Sequence, residues 1–268
     1  MLRSSESFPR LKKLVMKLRR RLVPRQLLFL LAAGLITPGV RLARAEDTIT
    51  LRDGQAQAVT ILGVTSNGIS VQMGGAQMVE PFANITAVTM SPPPQYTAAV
   101  AAYQHGDLDT AFSNVSAVVQ AYKGLPTDWM QEAMQMVGDI YLAKGDLGDA
   151  ETMYKEYRKT YPTASAQDVD VGLAGIDVAK KDYDSAKAKV EPITADALKE
   201  QNPPAAKAAL IGRAFYISGQ VKEQTGDLPG ALQDYLRTVT VFPQDAVATA
   251  GAQEHADALR KNHDVAAP

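Results

Sequence analysis

The side chains that could do chemistry are few in this chain, and their spacing matches no common catalytic or metal-binding motif. The 268 residues include no cysteine, which excludes a thiol nucleophile and a thiolate metal site. The three histidines are far apart and in no zinc-binding spacing, at His105, His255 and His263. The pair Gly74-Gly75 lacks the lysine and the spacing of a phosphate-binding loop. The sequence therefore predicts a protein that is not an enzyme and uses no cofactor or metal.

Carboxylates are plentiful, but several of them recur at one position of a repeated motif and so have a structural explanation. The motif H-G-D-L-D-T-A at 105–111 returns as K-G-D-L-G-D-A at 144–150 and T-G-D-L-P-G-A at 225–231, with a weaker copy, K-K-D-Y-D-S-A, at 180–186. Glycine can end a helix in the left-handed conformation, and the aspartate after it can cap the next helix. The alanine at the end of each copy lets two helices approach closely. The predicted N-caps are Asp107, Asp146, Asp182 and Asp227.

The elements that must position these motifs are pairs of helices. Each copy of the motif separates two segments with helical patterns, and repetition at spacings of 36 to 45 residues is typical of stacked repeats. The predicted pairs are 96–104 with 108–122, 127–143 with 147–160, 166–180 with 183–198, and 205–224 with 228–241. A final helix at 246–262, rich in alanine and charge, is predicted to cover the last repeat. The tail at 263–268 is predicted to be disordered.

The repeat region resembles the tetratricopeptide repeat family, whose unit is a helix–turn–helix of about 34 residues. The resemblance covers 96–245 and is best over 131–164 and 212–245. The third unit departs from the pattern, with Lys181 at the turn glycine and Pro192 inside its second helix. The matching residues in the two best units are Gly138, Tyr141, Gly145, Leu147, Ala150, Tyr154 and Pro162, then Gly219, Gly226, Leu228, Ala231, Tyr235 and Pro243. The resemblance implies an all-α helical solenoid that binds a protein or peptide.

The family resemblance also implies where a partner binds. In the family, the first helix of each unit lines a concave groove, with contact positions about four residues apart. Tyr216 and Arg213 are the strongest candidates, because tyrosine and arginine dominate interface hot spots. The asparagine and lysine pairs that grip a terminal carboxylate in some relatives are missing, so such a ligand is not expected. The implied groove residues are Glu132, Gln135 and Asp139 in the second unit, and Arg213, Tyr216, Gln220 and Glu223 in the fourth.

A region with a different residue pattern, 46–91, precedes the helices. It contains short alternating or β-branched runs separated by turn signals such as Asp53-Gly54 and Asn67-Gly68, which predict a meander of about five strands. A small SH3-like or Sm-like barrel is the expected closed form, and a proline-rich linker at 92–95 follows. The runs are 48–51, 58–62, 69–73, 77–79 and 85–88. Together with the helices they predict the α+β class.

The N-terminal segment predicts export. Residues 1–26 are strongly basic, an apolar run at 27–36 follows, and Ala43-Arg44-Ala45 completes the pattern of a signal peptide at 1–45 that is cleaved after Ala45. The run is shorter than the about 20 residues of a membrane span. Met16 is an alternative start. We therefore expect a periplasmic or extracellular protein with no integral membrane anchor after cleavage.

Loss of this segment changes the net charge of the chain and restricts the classes of partner that it is expected to bind. The mature chain has 17 basic and 28 acidic residues, for a net charge of −11, which argues against nucleic acid as the partner. The favoured function is a scaffold or adaptor for protein–protein interactions in the cell envelope. Two alternatives stay open: a self-assembling structural component of a secretion, outer-membrane or wall-linked complex, and an accessory protein of an enzyme on another chain.

Overall fold

The computed structural model describes residues 46–162, 166–200 and 203–263, and it confirms the predicted α+β class. The predicted signal peptide and almost all of the predicted tail lie outside these residues. The strands are β1 (Asp47–Leu51), β2 (Ala56–Thr65), β3 (Gly68–Met73), β4 (Ala76–Pro81) and β5 (Ile85–Thr89). The helices are α1 (Pro94–Gln104), α2 (Leu108–Tyr122), α3 (Asp128–Lys144), α4 (Leu147–Thr160), α5 (Ala166–Ala179), α6 (Tyr183–Lys199), α7 (Ala208–Thr225), α8 (Leu228–Thr240) and α9 (Ala246–His263).

The strands form one open antiparallel sheet in the order β4-β3-β2-β1-β5. Successive strands pair from β1 to β4, and β5 returns to pair with β1. β2 pairs with β1 along its first half and with β3 along its second half, and its register shifts between Ile61 and Gly63. Such a bulge bends a strand, so β2 can take part in both halves of the sheet. The five predicted runs each correspond to one strand, while closure into a barrel stays a prediction.

The sheet packs against the first helices and shares their hydrophobic core. Its inward side chains, among them Ile49 and Ile69, belong to one cluster with residues of α2 and α3. The indole nitrogen of Trp129 donates a hydrogen bond of 2.9 Å to the backbone oxygen of Met90. A sheet of about 45 residues buries too little surface to be stable alone, and this docking supplies the missing contacts.

The repeated motif folds largely as predicted. The turn glycines Gly106, Gly145 and Gly226 have φ of 75°, 82° and 91°, and the four motif alanines are completely buried. In the weak copy, Lys181 adopts the same conformation with φ of 64° despite its side chain, which is unfavourable for a residue other than glycine. Asp146 occupies the predicted N-cap position of α4, but its side chain makes no capping hydrogen bond. The other three aspartates each accept a backbone hydrogen bond.

The helices pack in sequence order, each against its neighbours in the chain, and the odd-numbered helices also contact one another. The last helix, α9, packs on α7 and α8 and also contacts α1. The contact of α9 with α1 brings the last helix against the first. Among the described helices, none is long and apolar enough to cross a membrane.

Candidate functional site

Two adjoining cavities lie between the odd-numbered helices. The first, of about 380 Å³, we call the acidic cavity, and it lies among α1, α3, α5, α7 and the start of α9, with one residue of α4, Tyr157, in its lining. The second, of about 300 Å³, we call the apolar cavity, and it is lined by α3, α5, α7 and α9 together with one residue of α1. The two share Tyr103, Asp139 and Asp245 in their linings. They adjoin at these three residues, and we call the two cavities together the candidate binding groove.

The acidic cavity is lined by carboxylates and tyrosines. Its lining contains no lysine or arginine. The hydroxyl of Tyr96 donates a hydrogen bond of 2.5 Å to Oε2 of Glu132, and burial raises the pKa of Asp168 despite the opposing effect of Arg213. This cavity can favour a cationic group, through both charge and the faces of aromatic rings. The lining carboxylates are Asp128, Glu132, Asp139, Asp168 and Asp245, and the tyrosines are Tyr96, Tyr103 and Tyr157.

A buried ion network centred on Arg213 lies where the two cavities meet. Its Nη2 donates to Oδ1 of Asp139 at 2.5 Å, and its Nε lies 3.8 Å from Oδ2 of Asp245. The hydroxyl of Tyr154 donates to the same Oδ1 of Asp139 at 2.5 Å. The side chains of Arg213, Asp139 and Asp245 are only 9%, 10% and 10% exposed. A single guanidinium therefore faces two carboxylates in a region of low dielectric constant.

This imbalance explains the titration of the network. Burial raises the pKa of Asp139 to about 6, because desolvation outweighs the attraction of Arg213, and the charge of Asp245 adds to the rise. Desolvation alone would lower the pKa of Arg213, but the charges of Asp139 and its neighbours raise it above its usual range. Arg213 thus stays charged, and Asp139 is the group that takes up a proton in mild acid.

The apolar cavity differs from the acidic one in its walls. Aliphatic side chains from α3, α5, α7 and α9 line most of it, and the ion network supplies its polar end. Tyr216 and Gln220 complete the lining, and Nε2 of Gln220 donates to the hydroxyl of Tyr216 at 3.1 Å. A cavity with aliphatic walls and few polar groups is typical of a ligand-binding site. The aliphatic residues are Leu142, Val171, Val178, Ile217 and Val247.

Six of the seven predicted groove residues line these cavities. Glu132 and Gln135 lie in the acidic cavity, Asp139 lies in both, and Arg213, Tyr216 and Gln220 lie in the apolar cavity. Glu223 lines neither of the two. The Oε2 atom of Glu223 accepts one hydrogen bond, from the hydroxyl of Tyr235 at 2.6 Å, and lies 2.8 Å from Nδ1 of His255.

Two of the predicted residues are less available to a partner than the sequence suggested. Arg213 is buried and already paired with Asp139. Tyr216 is half-buried beneath α9, where its ring packs near Tyr235 and His255. Replacing both side chains by alanine would therefore disturb buried packing and leave Asp139 without its cationic partner, so these positions do not suit a test of binding alone.

Sequence reasoning missed the contributions of α1, α5 and α9 to the groove. The resemblance places groove positions only in the two best-matched units, so it indicates neither Tyr103 of α1 nor Asp168 of α5. The sequence does indicate a role for Asp245, because an aspartate that follows Pro243 and directly precedes a predicted helix is a candidate N-cap. In the structure it caps α9, and its Oδ1 accepts a hydrogen bond of 2.9 Å from the backbone nitrogen of Ala248. No local pattern indicates that the same side chain lines both cavities.

The chain matches no protein-family model, and no curated protein is significantly similar to it. The resemblance to tetratricopeptide repeats therefore rests on the motif residues and stays a prediction.

Proposed function

We propose that this chain is a non-enzymatic scaffold or adaptor that binds a protein or peptide partner in the groove formed by the acidic and apolar cavities. In this proposal the helix pairs form a tetratricopeptide-type solenoid, the sheet forms a barrel-like support, and the protein works in the cell envelope after export. The observation that carries the proposal is that two cavities adjoin along the odd-numbered helices and share three lining residues.

The lining of the groove supports a peptide ligand over a small polar metabolite. Aliphatic walls can bury apolar side chains, tyrosines supply large contact area, and charged groups at fixed positions select orientation. The carboxylates of the acidic cavity favour a segment that carries lysine or arginine near its apolar contact, because complementary charge speeds and orients association. The acidic mature chain strengthens this preference.

A groove-filling substitution tests the proposal. Ala206 is exposed and lines the acidic cavity, whereas its neighbour Ala205 is exposed and lines none of the cavities described here. Because neither side chain is buried, Ala206→Trp and Ala205→Trp should fold equally well. In affinity capture from envelope extract followed by mass spectrometry, Ala206→Trp should lose the partner and Ala205→Trp should retain it. Equal retention by both variants would place the partner outside the groove.

Self-assembly is the second candidate, and the sheet supplies the observation that favours it. Five of the seven large apolar side chains that are exposed in the described residues lie in the sheet region, at Leu62, Met73, Met78, Val79 and Phe82. β4 and β5 are the edge strands of the sheet, and exposed apolar edges favour pairing with another chain. Sedimentation velocity of the purified protein separates the candidates, since large particles that dissociate on Met78→Lys would favour assembly.

A further inference from the structure

We propose that the edge strand β4 pairs in antiparallel orientation with β4 of a second copy of this chain, to form a closed two-fold dimer. The pairing lies on the sheet and does not involve the candidate binding groove, so it goes beyond the proposed function. It also differs from assembly into large particles, because each copy uses one edge and the two-fold axis closes the contact.

The outer edge of β4 is open to pairing. Within the described sheet, β4 has a neighbouring strand on one side only, β3, and every residue from Ala76 to Val79 is exposed. Exposed sheet edges are commonly protected by lysine, proline or a bulge. β4 has no lysine, its proline is its last residue, Pro81, and its pairing with β3 shows no register shift. Residues 76–80 therefore form a regular edge that a further strand can join.

The core face of the sheet continues onto β4, where it becomes exposed. Val71 is buried in the core and pairs with Met78, and directly opposed residues lie on the same face of a sheet. Met73 lies on that face too, because it is two residues from Val71. Met73 and Met78 are nevertheless 39% and 43% exposed. A second copy at this edge would bring its own Met78 beside this pair and reduce the exposed apolar surface.

Symmetry restricts the register of the pairing. A two-fold axis that relates two antiparallel strands of one sheet passes between a residue and the same residue of the second copy. An axis at Met78, the middle of the five-residue edge 76–80, pairs the edge over its full length and joins the two Met78 side chains on the core face. Gln77 then lies opposite Val79 of the second copy.

The charges of β4 suit a second copy better than a charged segment of another protein. Glu80 is the one charged residue of the strand, and its Oε1 already accepts a hydrogen bond of 2.9 Å from Nδ2 of Asn84. In the proposed register the two Glu80 residues lie at opposite ends of the paired edge, about 14 Å apart along the strands. This exceeds the Debye length of about 8 Å at physiological salt, so two identical edges meet without strong repulsion.

Charged substitutions across the proposed axis test the pairing, because Gln77 and Val79 face each other there. Gln77→Glu with Val79→Glu places two like-charged pairs between the copies, whereas Gln77→Lys with Val79→Glu places two opposite-charged pairs there. Both positions are exposed, so both variants should fold. The matched control, Ala87→Glu with Thr89→Glu, adds two charges at exposed positions of β5, the other edge strand.

Sedimentation equilibrium of the purified full chain over a series of concentrations measures the dimerisation constant. A paired edge of five residues is a small interface, so the wild type and the β5 control should dimerise reversibly. The like-charge variant should dimerise at least about tenfold more weakly, because like charges directly opposite each other are destabilising. The opposite-charge variant should recover at least about tenfold in affinity relative to the like-charge variant.

A wild type that stays monomeric at every concentration would overturn the proposal, as would equal dimerisation of the wild type and the like-charge variant. Equal weakening of the like-charge and opposite-charge variants would overturn the register centred on Met78. Large particles that persist in the like-charge variant would overturn the closed dimer and favour assembly through another surface. The groove is tested separately, by Ala206→Trp, so failure of the dimer leaves the proposed function standing.

Discussion

The side chain of Tyr154 joins the helix packing to the ion network, and a single added methyl group should disturb both. Its ring is completely buried and packs where α3 and α5 have Gly138 and Gly172. A Cβ at position 138 would lie 2.6 Å from Cε1 of Tyr154, whereas carbon atoms in contact are normally about 3.5–4.0 Å apart. Gly138→Ala therefore requires the ring to move by about 1 Å.

The cost of this movement can be worked from the contacts. Overpacking of this kind costs about 1–3 kcal/mol, and the hydrogen bond from Tyr154 to the buried Asp139, now 2.5 Å long, would be stretched, at a cost of about 1–2 kcal/mol. Replacing glycine by alanine inside a helix returns about 1 kcal/mol. The expected net loss in the free energy of unfolding is about 2 kcal/mol, equivalent to about 4–8 °C in Tm for a chain of this size.

Gly148→Ala is the matched control, because Gly148 lies in α4 and a Cβ there would meet no atom within 4 Å. It should stabilise the protein by up to about 1 kcal/mol through helix propensity alone. Urea unfolding followed by circular dichroism measures both variants against the wild type. If Gly138→Ala is as stable as Gly148→Ala, the ring of Tyr154 is not confined as described, and the reasoning is refuted.

Three further predictions concern packing, titration and export. Ala150 is completely buried, so Ala150→Leu should lower the free energy of unfolding by about 1–3 kcal/mol. Thr152 is exposed, so Thr152→Leu should lower it less. Equal thermal midpoints for the two variants would contradict the close helix contact at Ala150. Asp139 has a pKa near 6 when folded, against an ordinary 3.8, so it binds its proton more tightly in the folded state. Its stabilising contribution is therefore complete below about pH 4 and falls by up to about 3 kcal/mol as the pH rises through 6. Urea unfolding at pH 4.5 and 7.5 should show about 2 kcal/mol of this loss in the wild type and not in Asp139→Asn; identical pH profiles would exclude the assignment. Protein from the periplasmic fraction should begin after Ala45, and an intact mass that retains 27–36 would refute cleavage there.

Local patterns were sufficient to predict the elements of the fold. The ends of the helices follow from glycine turns and capping aspartates, and the observed bounds of α2 and α4 coincide with the predicted 108–122 and 147–160. Lys181 shows that a degenerate copy of the motif can form the same turn, although its backbone is then strained, with φ of 64°. Asp146 shows the opposite case, in which the motif is intact but the side chain makes no capping bond.

The candidate site was less predictable, because it depends on contacts between residues far apart in the sequence. Arg213 and Asp139 are 74 residues apart and pair across α3 and α7. A helical pattern cannot distinguish a charge that faces solvent from one that is buried beside a partner on another helix. The contact of α9 with α1 likewise depends on how all the intervening helices pack, which no single repeat specifies.

The central claim is that a protein or peptide partner occupies the groove between the odd-numbered helices. The most direct measurement places a photo-cross-linking amino acid at Gln135, which lines the acidic cavity, and at Lys159, an exposed position of α4 outside both cavities. On irradiation of envelope extract, the protein labelled at position 135 should form a discrete cross-linked product, and the protein labelled at position 159 should not. Cross-linking at position 159 with none at position 135 would contradict the account.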